Sequence, residues 1–321
     1  MSNYHQKGEK PDIYLFSTPR SGSTWLMELI TSQKGIKFCN EPFNIRHADI
    51  RRELNISDWP DFYEEDALQM VEAYFSSLSA DGFHNNIRGP HLLDPHYEWT
   101  TNRIVFKILH AGEHEIEWFR QHFRGQIVYL LRHPIPVSLS RDDLPRLDSF
   151  LKTSFRENFS QEQLKYADRV HRKGNHLEKN MLDWCLQNSL PLKRSADKMN
   201  IVTYEQLVIQ PEPVVSYLAE ALQLDDPDTI MHQLSSSSRS TKKSTKENQQ
   251  TLKKLQSHDD RSLIIKKWKN KISDSGEEHL MEALAHFEID VYQTGKILPK
   301  KEVWIGDGYE EVDLDGNAES T

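Results

Sequence analysis

Ser17-Thr18-Pro19-Arg20-Ser21-Gly22-Ser23-Thr24-Trp25-Leu26 stands between an apolar run of strand type, Ile13 to Ser17 (IYLFS), and a helical pattern over Thr24 to Thr31. A turn between strand and helix points several backbone N–H groups at one spot, and the helix N-terminus adds its partial positive charge there. Gly22 lets the backbone come close to a phosphate. Ser21, Ser23 and Thr24 add hydroxyl donors, and Arg20 adds a charged fork. The stretch reads as an anion site, against the plainer reading of an ordinary strand-turn-helix corner. It is not a nucleoside-triphosphate loop. The pattern GxxxxGK[ST] is absent, and with it the lysine and the magnesium-holding hydroxyl.

Further along the chain, strands and helices alternate. Lys37 to Asn40 predicts a second strand, and Asp66 to Leu78 a helix with Leu68, Val71, Phe75 and Leu78 on its apolar face. Ile104 to Leu109 (IVFKIL) and Ile127 to Leu131 (IVYLL) are near-continuous apolar runs, as expected of strands buried on both faces of a parallel sheet. Ser160-x-x-Gln163 resembles a capping box opening a long helical region that ends near Pro191. Ile201 to Thr203 predicts a short strand, Glu212 to Leu222 a helix, Ser235 to Thr245 a loop, and two helices follow over 260–269 and 275–287. The alternation implies a three-layer α/β fold, with helices flanking a mostly parallel central sheet. Residues 1–10 read as a disordered lead-in, 11–299 as one domain, and 300–321 as an acidic flexible tail.

Bulk properties narrow the function classes. A net charge of −9 over 321 residues argues against a nucleic-acid binder, although a pocket needs only local positive charge to hold a small anion. No apolar run reaches the roughly 18–20 residues of a membrane span. The polar N-terminus lacks an apolar signal core, which places the expectation in the cytoplasm. Cys39 and Cys185 are the only cysteines, simplest as two thiols, with one disulfide as the alternative. Despite 15 histidines, no Cys/His spacing matches a zinc site, and no metal is expected.

A second candidate anion site follows the strand IVYLL: Arg132-His133-Pro134-Ile135-Pro136-Val137-Ser138-Leu139-Ser140. Arg132 leaves the carboxyl end of a strand, where α/β sheets bind ligands. If the segment turns helical, Ser140 can point back toward the same anion. Two separated anion stations suit a ligand with phosphates at both ends.

TPRSGSTWL resembles the 5′-phosphosulfate loop of the sulfotransferase family, in the arginine-bearing form of its carbohydrate and bacterial branch. Arg132 with Ser140 eight residues on resembles that family's 3′-phosphate motif, and Ile201 to Leu207, then Pro211, its strand-then-YE.L segment. The resemblance implies a P-loop-like fold and transfer of a sulfuryl group from 3′-phosphoadenosine 5′-phosphosulfate to an acceptor hydroxyl, with a carbohydrate first and a lipid or metabolite next. It implies that Thr18, Pro19, Arg20, Ser21, Gly22, Ser23, Thr24, Trp25, Arg132, Ser140 and Tyr204 hold the nucleotide. Tyr204 would lie near the adenine or else cap a strand; Trp25 would line the pocket or pack under its helix. Lys267-Trp268-Lys269-Asn270 is similar to a basic segment that closes over the nucleotide, but without the usual glycine-rich run a solvated charged face is the favoured reading.

Sulfuryl transfer needs a base for the acceptor proton and charge stabilisation on the leaving phosphate. Glu41, in Cys39-Asn40-Glu41-Pro42-Phe43, resembles the Glu-Pro of carbohydrate and bacterial relatives and is the favoured base; burial would raise its pKa, and Arg20 would oppose that rise. His110 is the rival, at the end of IVFKIL. One extra residue relative to a Lys-x-His pattern would aim it to the other face of a strand. Lys107 either contacts the sulfate or makes a salt bridge. Segments 44–103 and 142–195 are left for acceptor choice. A P-loop kinase-like phosphoryl transferase and a non-catalytic nucleotide or sulfated-glycan binding module are the competing functions.

Overall fold

The computed structural model describes residues 2–85, 88–94, 97–234 and 261–309. Its strands are β1 (Ser2–His5), β2 (Ile13–Ser17), β3 (Ile36–Asn40), β4 (Gly82–Asn85), β5 (Thr100–Thr101), β6 (Arg103–Ile108), β7 (Gln126–Leu131) and β8 (Asn200–Thr203). The first helices are α1 (Ser23–Ile30), α2 (Ala48–Leu54), α3 (Ala67–Leu78), α4 (Ile116–Phe123), α5 (Pro134–Leu139) and α6 (Leu147–Lys152). There follow α7 (Gln161–Lys173), α8 (His176–Arg194), α9 (Tyr204–Ile209), α10 (Pro211–Ala221), α11 (Pro227–Gln233), α12 (Ser262–Lys266) and α13 (Asp274–His286).

The central sheet has five strands in the order β3-β6-β2-β7-β8, every neighbouring pair parallel. β2 sits in the middle and every one of its residues is buried, as its unbroken apolar run requires. Side-chain alternation divides it between two cores. Ile13 and Leu15 pack in one layer with Leu26 and Ile30 of α1 and Val214 and Leu218 of α10. Tyr14 and Phe16 pack in the other with Phe43, Phe75, Phe106 and Phe119. These are the three layers expected from the sequence, with the strands found within a residue or so of their predicted bounds.

Other elements differ from expectation. Residues 2–5, read as part of a disordered lead-in, form β1, which pairs antiparallel with β4 and parallel with β5 in a small second sheet. The helical region after Ser160 has its capping box but breaks at Gly174; Asn175 caps a second helix, and Pro191 lies inside α8 rather than at its end. The ordered chain runs past residue 299, since Trp304 is buried and its Nε1 donates to Gln210 Oε1. Trp268 is also buried, stacked on His133 with ring centroids 4.6 Å apart, so the Lys-Trp-Lys stretch is not a solvated face throughout. The loop expected over 235–245 lies outside the described residues, as does the tail from 310. Cys39 and Cys185 are buried free thiols. Among the described residues no helix is long and apolar enough to cross a membrane.

The five central strands are parallel, so their carboxyl ends share one edge. Each delivers a sequence-predicted site residue there: β2 the Thr18–Trp25 loop, β3 Glu41, β6 His110, β7 Arg132 and β8 Tyr204. This is the edge at which open α/β sheets hold ligands.

Candidate active site

The loop after β2 is braced from within. Thr18 and Ser21 are buried and their hydroxyls pair at 2.7 Å, while Ser21 N donates to Thr18 O at 3.3 Å. Ser21, read from the sequence as an anion donor, also braces the turn through this pairing. Arg20 and Gly22 both take left-handed backbone, with φ of 75° and 92°. At Gly22 the demand is also steric. A Cβ there would lie 2.6 Å from Cδ2 of Tyr204, so only glycine admits the ring. Gly22 caps α1, and helix geometry leaves the first-turn N–H groups of Ser23 and Thr24 without intrahelical acceptors. Arg20 is exposed, whereas Pro19 and Trp25 are half-buried.

Tyr204 joins the two predicted anion stations. The guanidinium of Arg132 lies over its ring, 4.1 Å from the centroid, and Arg132 Nη1 donates to the Arg20 carbonyl at 2.9 Å. Arg132 Nε is buried and has no partner among the described residues. The next residues turn into α5. Ser140, however, gives its hydroxyl proton to its own helix, to Pro136 O at 2.8 Å and Val137 O at 2.9 Å. In this conformation Ser140 offers an incoming phosphate no donor.

At the ends of β3 and β6 lies a compact charged cluster. Lys107, only 2% exposed, donates from Nζ to Thr24 Oγ1 at 2.9 Å and to Glu41 Oε1 at 3.1 Å. The other carboxylate oxygen of Glu41 accepts from Asn44 Nδ2 at 2.9 Å and lies 3.5 Å from His110 Nε2. Glu41 itself sits at φ 55°, an uncommon backbone for a non-glycine residue, and its N–H donates to Lys107 O at 2.9 Å. Glu41 and His110, posed as rivals by the sequence, are neighbours. The expectation that His110 aims to the far face fails because β6 ends at Ile108; beyond it the strand alternation no longer governs direction. The ring of Trp59 packs on His110 with centroids 5.4 Å apart.

Burial opposes the charge on Glu41, but the bonds from His110 and Lys107 outweigh it and hold the carboxyl well below the usual range. The supporting cation is therefore Lys107, not Arg20 as the sequence suggested. Burial pulls Lys107 down, with Glu41 pulling the other way, and burial likewise lowers His110. Glu41 and Lys107 thus each favour the charged form of the other, against the burial they share. Asn44 and Trp59 were missed by sequence reasoning; the spacing Glu41-Pro42-Phe43-Asn44 is the signal that could have shown the first.

The signature of the sulfotransferase family matches residues 11–228, more than half of the chain. The chain belongs to the sulfotransferase family. This sulfotransferase has structural neighbours of low identity. The sulfotransferase domain from the Synechococcus PCC 7002 olefin synthase is 19% identical with a TM-score of 0.44, covering 89% of this chain and 98% of its own. A sulfotransferase domain from the curacin biosynthetic pathway is 17% identical with a TM-score of 0.44, covering 88% and 99%. The mouse sulfotransferase SULT7A1 complexed with PAP is 17% identical with a TM-score of 0.42, covering 87% and 85%. No curated protein matches the sequence. Among the sulfotransferase's described residues, no group of three or more His, Cys, Asp or Glu side chains could hold a metal ion.

Proposed function

We propose that this sulfotransferase moves a sulfuryl group from 3′-phosphoadenosine 5′-phosphosulfate to a hydroxyl of an acceptor, with a carbohydrate as the first class to test. The observation that carries this reading is the joining of two cationic stations at the sheet edge, Arg132 donating to the Arg20 carbonyl across Tyr204. The Thr18–Trp25 turn would take the 5′-phosphosulfate on its amides, with Thr24 and Arg20 contributing side-chain donors. Arg132 would take the 3′-phosphate.

In the reaction, the acceptor oxygen attacks sulfur as the bond from sulfur to the bridging phosphate oxygen breaks. Negative charge grows on the departing phosphate, where the turn's amides and Arg20 stabilise it without reorganising. The acceptor's proton passes to the Glu41–His110 pair, whose facing atoms are 3.5 Å apart. Glu41 is the favoured acceptor of that proton and His110 its close neighbour. No step calls for a metal, which separates this reading from a kinase-like transferase.

The test is incubation with sulfur-labelled donor and a panel of hydroxylated acceptors in the presence of a chelator. Labelled product is expected. Tight donor binding with no product from any acceptor would favour a binding module, and activity restored only by magnesium would favour the kinase-like reading. With an acceptor in hand, single-turnover rates decide the base. Glu41→Gln should cost about 10²–10⁴ in rate with donor affinity nearly unchanged, and His110→Asn should cost less. A near-normal Glu41→Gln beside an inactive His110→Asn would hand the role to His110.

A further inference from the structure

The base and the donor loop share one cation. Lys107 lies on β6, paired in register with Leu15 of β2 and Asn40 of β3, so its side chain rises between the loop that follows β2 and the residue that follows β3. Its Nζ reaches Thr24 Oγ1 on one side and Glu41 Oε1 on the other, at 2.9 and 3.1 Å. An ammonium has three N–H donors, and these contacts use two. Thr24 accepts from Lys107, so its own hydroxyl proton remains available to a phosphate at the helix start.

This arrangement bears on a conflict within the site. A general base works best when its pKa lies near the working pH. Glu41 is instead fixed as a strongly stabilised carboxylate by Lys107, Asn44 and His110. In the free enzyme it is a weak proton acceptor. An anion placed on the loop beside Thr24 would compete for the same buried ammonium, because Lys107 has no solvent shell to share out. Weakening the Lys107–Glu41 bond returns basicity to the Glu41–His110 pair.

We propose that Lys107 is a positioning residue that donor binding draws away from Glu41, so that the Glu41–His110 pair becomes a competent proton acceptor only in the donor-bound enzyme. The inference rests on the functional reading above. The charged groups that face the cluster are Glu28 of α1 toward Lys107, and Arg46 and Arg146 toward His110. Arg146 is fixed by Glu113, Nη1 to Oε1 at 2.6 Å, so its field on His110 stays constant when the nucleotide binds.

The experiment follows the His110 imidazole by nitrogen NMR across pH, with the resonance assigned by His110→Asn. Full-length enzyme is titrated free and saturated with adenosine 3′,5′-bisphosphate. The nucleotide should raise the His110 titration by about one unit, because Glu41's charge is less compensated once Lys107 leans toward the phosphate. In Lys107→Met the free enzyme should already titrate higher than the wild type, and the nucleotide should add less than half of the wild-type shift. The proposal is overturned if free Lys107→Met titrates as the wild type does, or if the nucleotide shifts it by as much. If Lys107→Met does not fold, Thr24→Val tests the same link: with the loop contact cut, the shift at saturation should shrink, and an undiminished shift refutes the coupling. None of these readings depends on which residue is the base. If the titrations move as expected while Glu41→Gln and His110→Asn both turn over normally, the base assignment falls and the coupling stands.

Discussion

The guanidinium of Arg132 lies over the ring of Tyr204, its central carbon 4.1 Å from the ring centroid. The residue that opens the candidate second anion station thereby packs on the first residue of α9, just past β8, and its Nη1 bond to the Arg20 carbonyl ties it to the first. Arg132→Ala should weaken binding of adenosine 3′,5′-bisphosphate by about 1.5–3 kcal/mol, the scale of a charge-assisted hydrogen bond. Binding of adenosine 5′-phosphate should change much less. Arg132→Lys keeps the charge but loses the guanidinium's fork of donors, and should fall between. Calorimetry with both nucleotides checks the assignment; equal losses would mean that Arg132 supports the turn rather than a 3′-phosphate.

The same ring sets the identity of residue 22. Gly22→Ala would place a methyl 2.6 Å from Cδ2 and 2.9 Å from Cε2 of Tyr204, at a backbone φ of 92°. Overpacking of this kind costs about 1–3 kcal/mol, and the left-handed backbone adds roughly 1–2 kcal/mol. The variant should melt at lower temperature and bind nucleotide more weakly. Gly22→Ala combined with Tyr204→Ala should recover the steric part and leave the backbone part, giving a favourable coupling in a double-mutant cycle. Strict additivity of the two changes would show that the ring moves aside at little cost.

The frame of the site was legible in the sequence for a physical reason. Strands buried on both faces read as near-continuous apolar runs, so β2, β6 and β7 stand out, and Thr18–Trp25 and Arg132 are carried at the ends of two of them. What stayed hidden depends on which strands are neighbours. Lys107 meets Glu41 only because β6 lies between β3 and β2, and local pattern carries no sign of that order. β1 escaped notice because it is short and polar, with partners such as Tyr4 with Phe83 far apart in the chain. Trp268 looked solvated because lysines flank it, yet its ring is covered by His133 from another part of the fold. His110 lies past the end of β6 at Ile108, so strand alternation does not set its direction.

His133 ties this architecture to pH. It is fully buried, stacked on Trp268, and its Nδ1 accepts the N–H of Ile135 at 3.3 Å, capping α5. Burial, with the charges of Lys269 and Arg132 adding to it, lowers its pKa from 6.5 to about 3. A proton on Nδ1 would also remove the cap. His114 is lowered to about 4, again chiefly by burial. In the unfolded chain these imidazoles take up protons near pH 6.5, whereas in the folded protein they stay neutral until far lower pH. The unfolded state therefore binds more protons between about pH 6.5 and pH 4, and stability must fall as pH drops through that window. Each such histidine contributes a slope of up to about 1.4 kcal/mol per pH unit. His133→Asn keeps a short side-chain acceptor for the α5 cap and removes one titrating group. Urea unfolding at steps across the window should show the variant losing stability less steeply than the wild type, by up to that slope. Parallel pH dependences would mean that His133 takes up its proton in the folded protein as readily as in the unfolded chain.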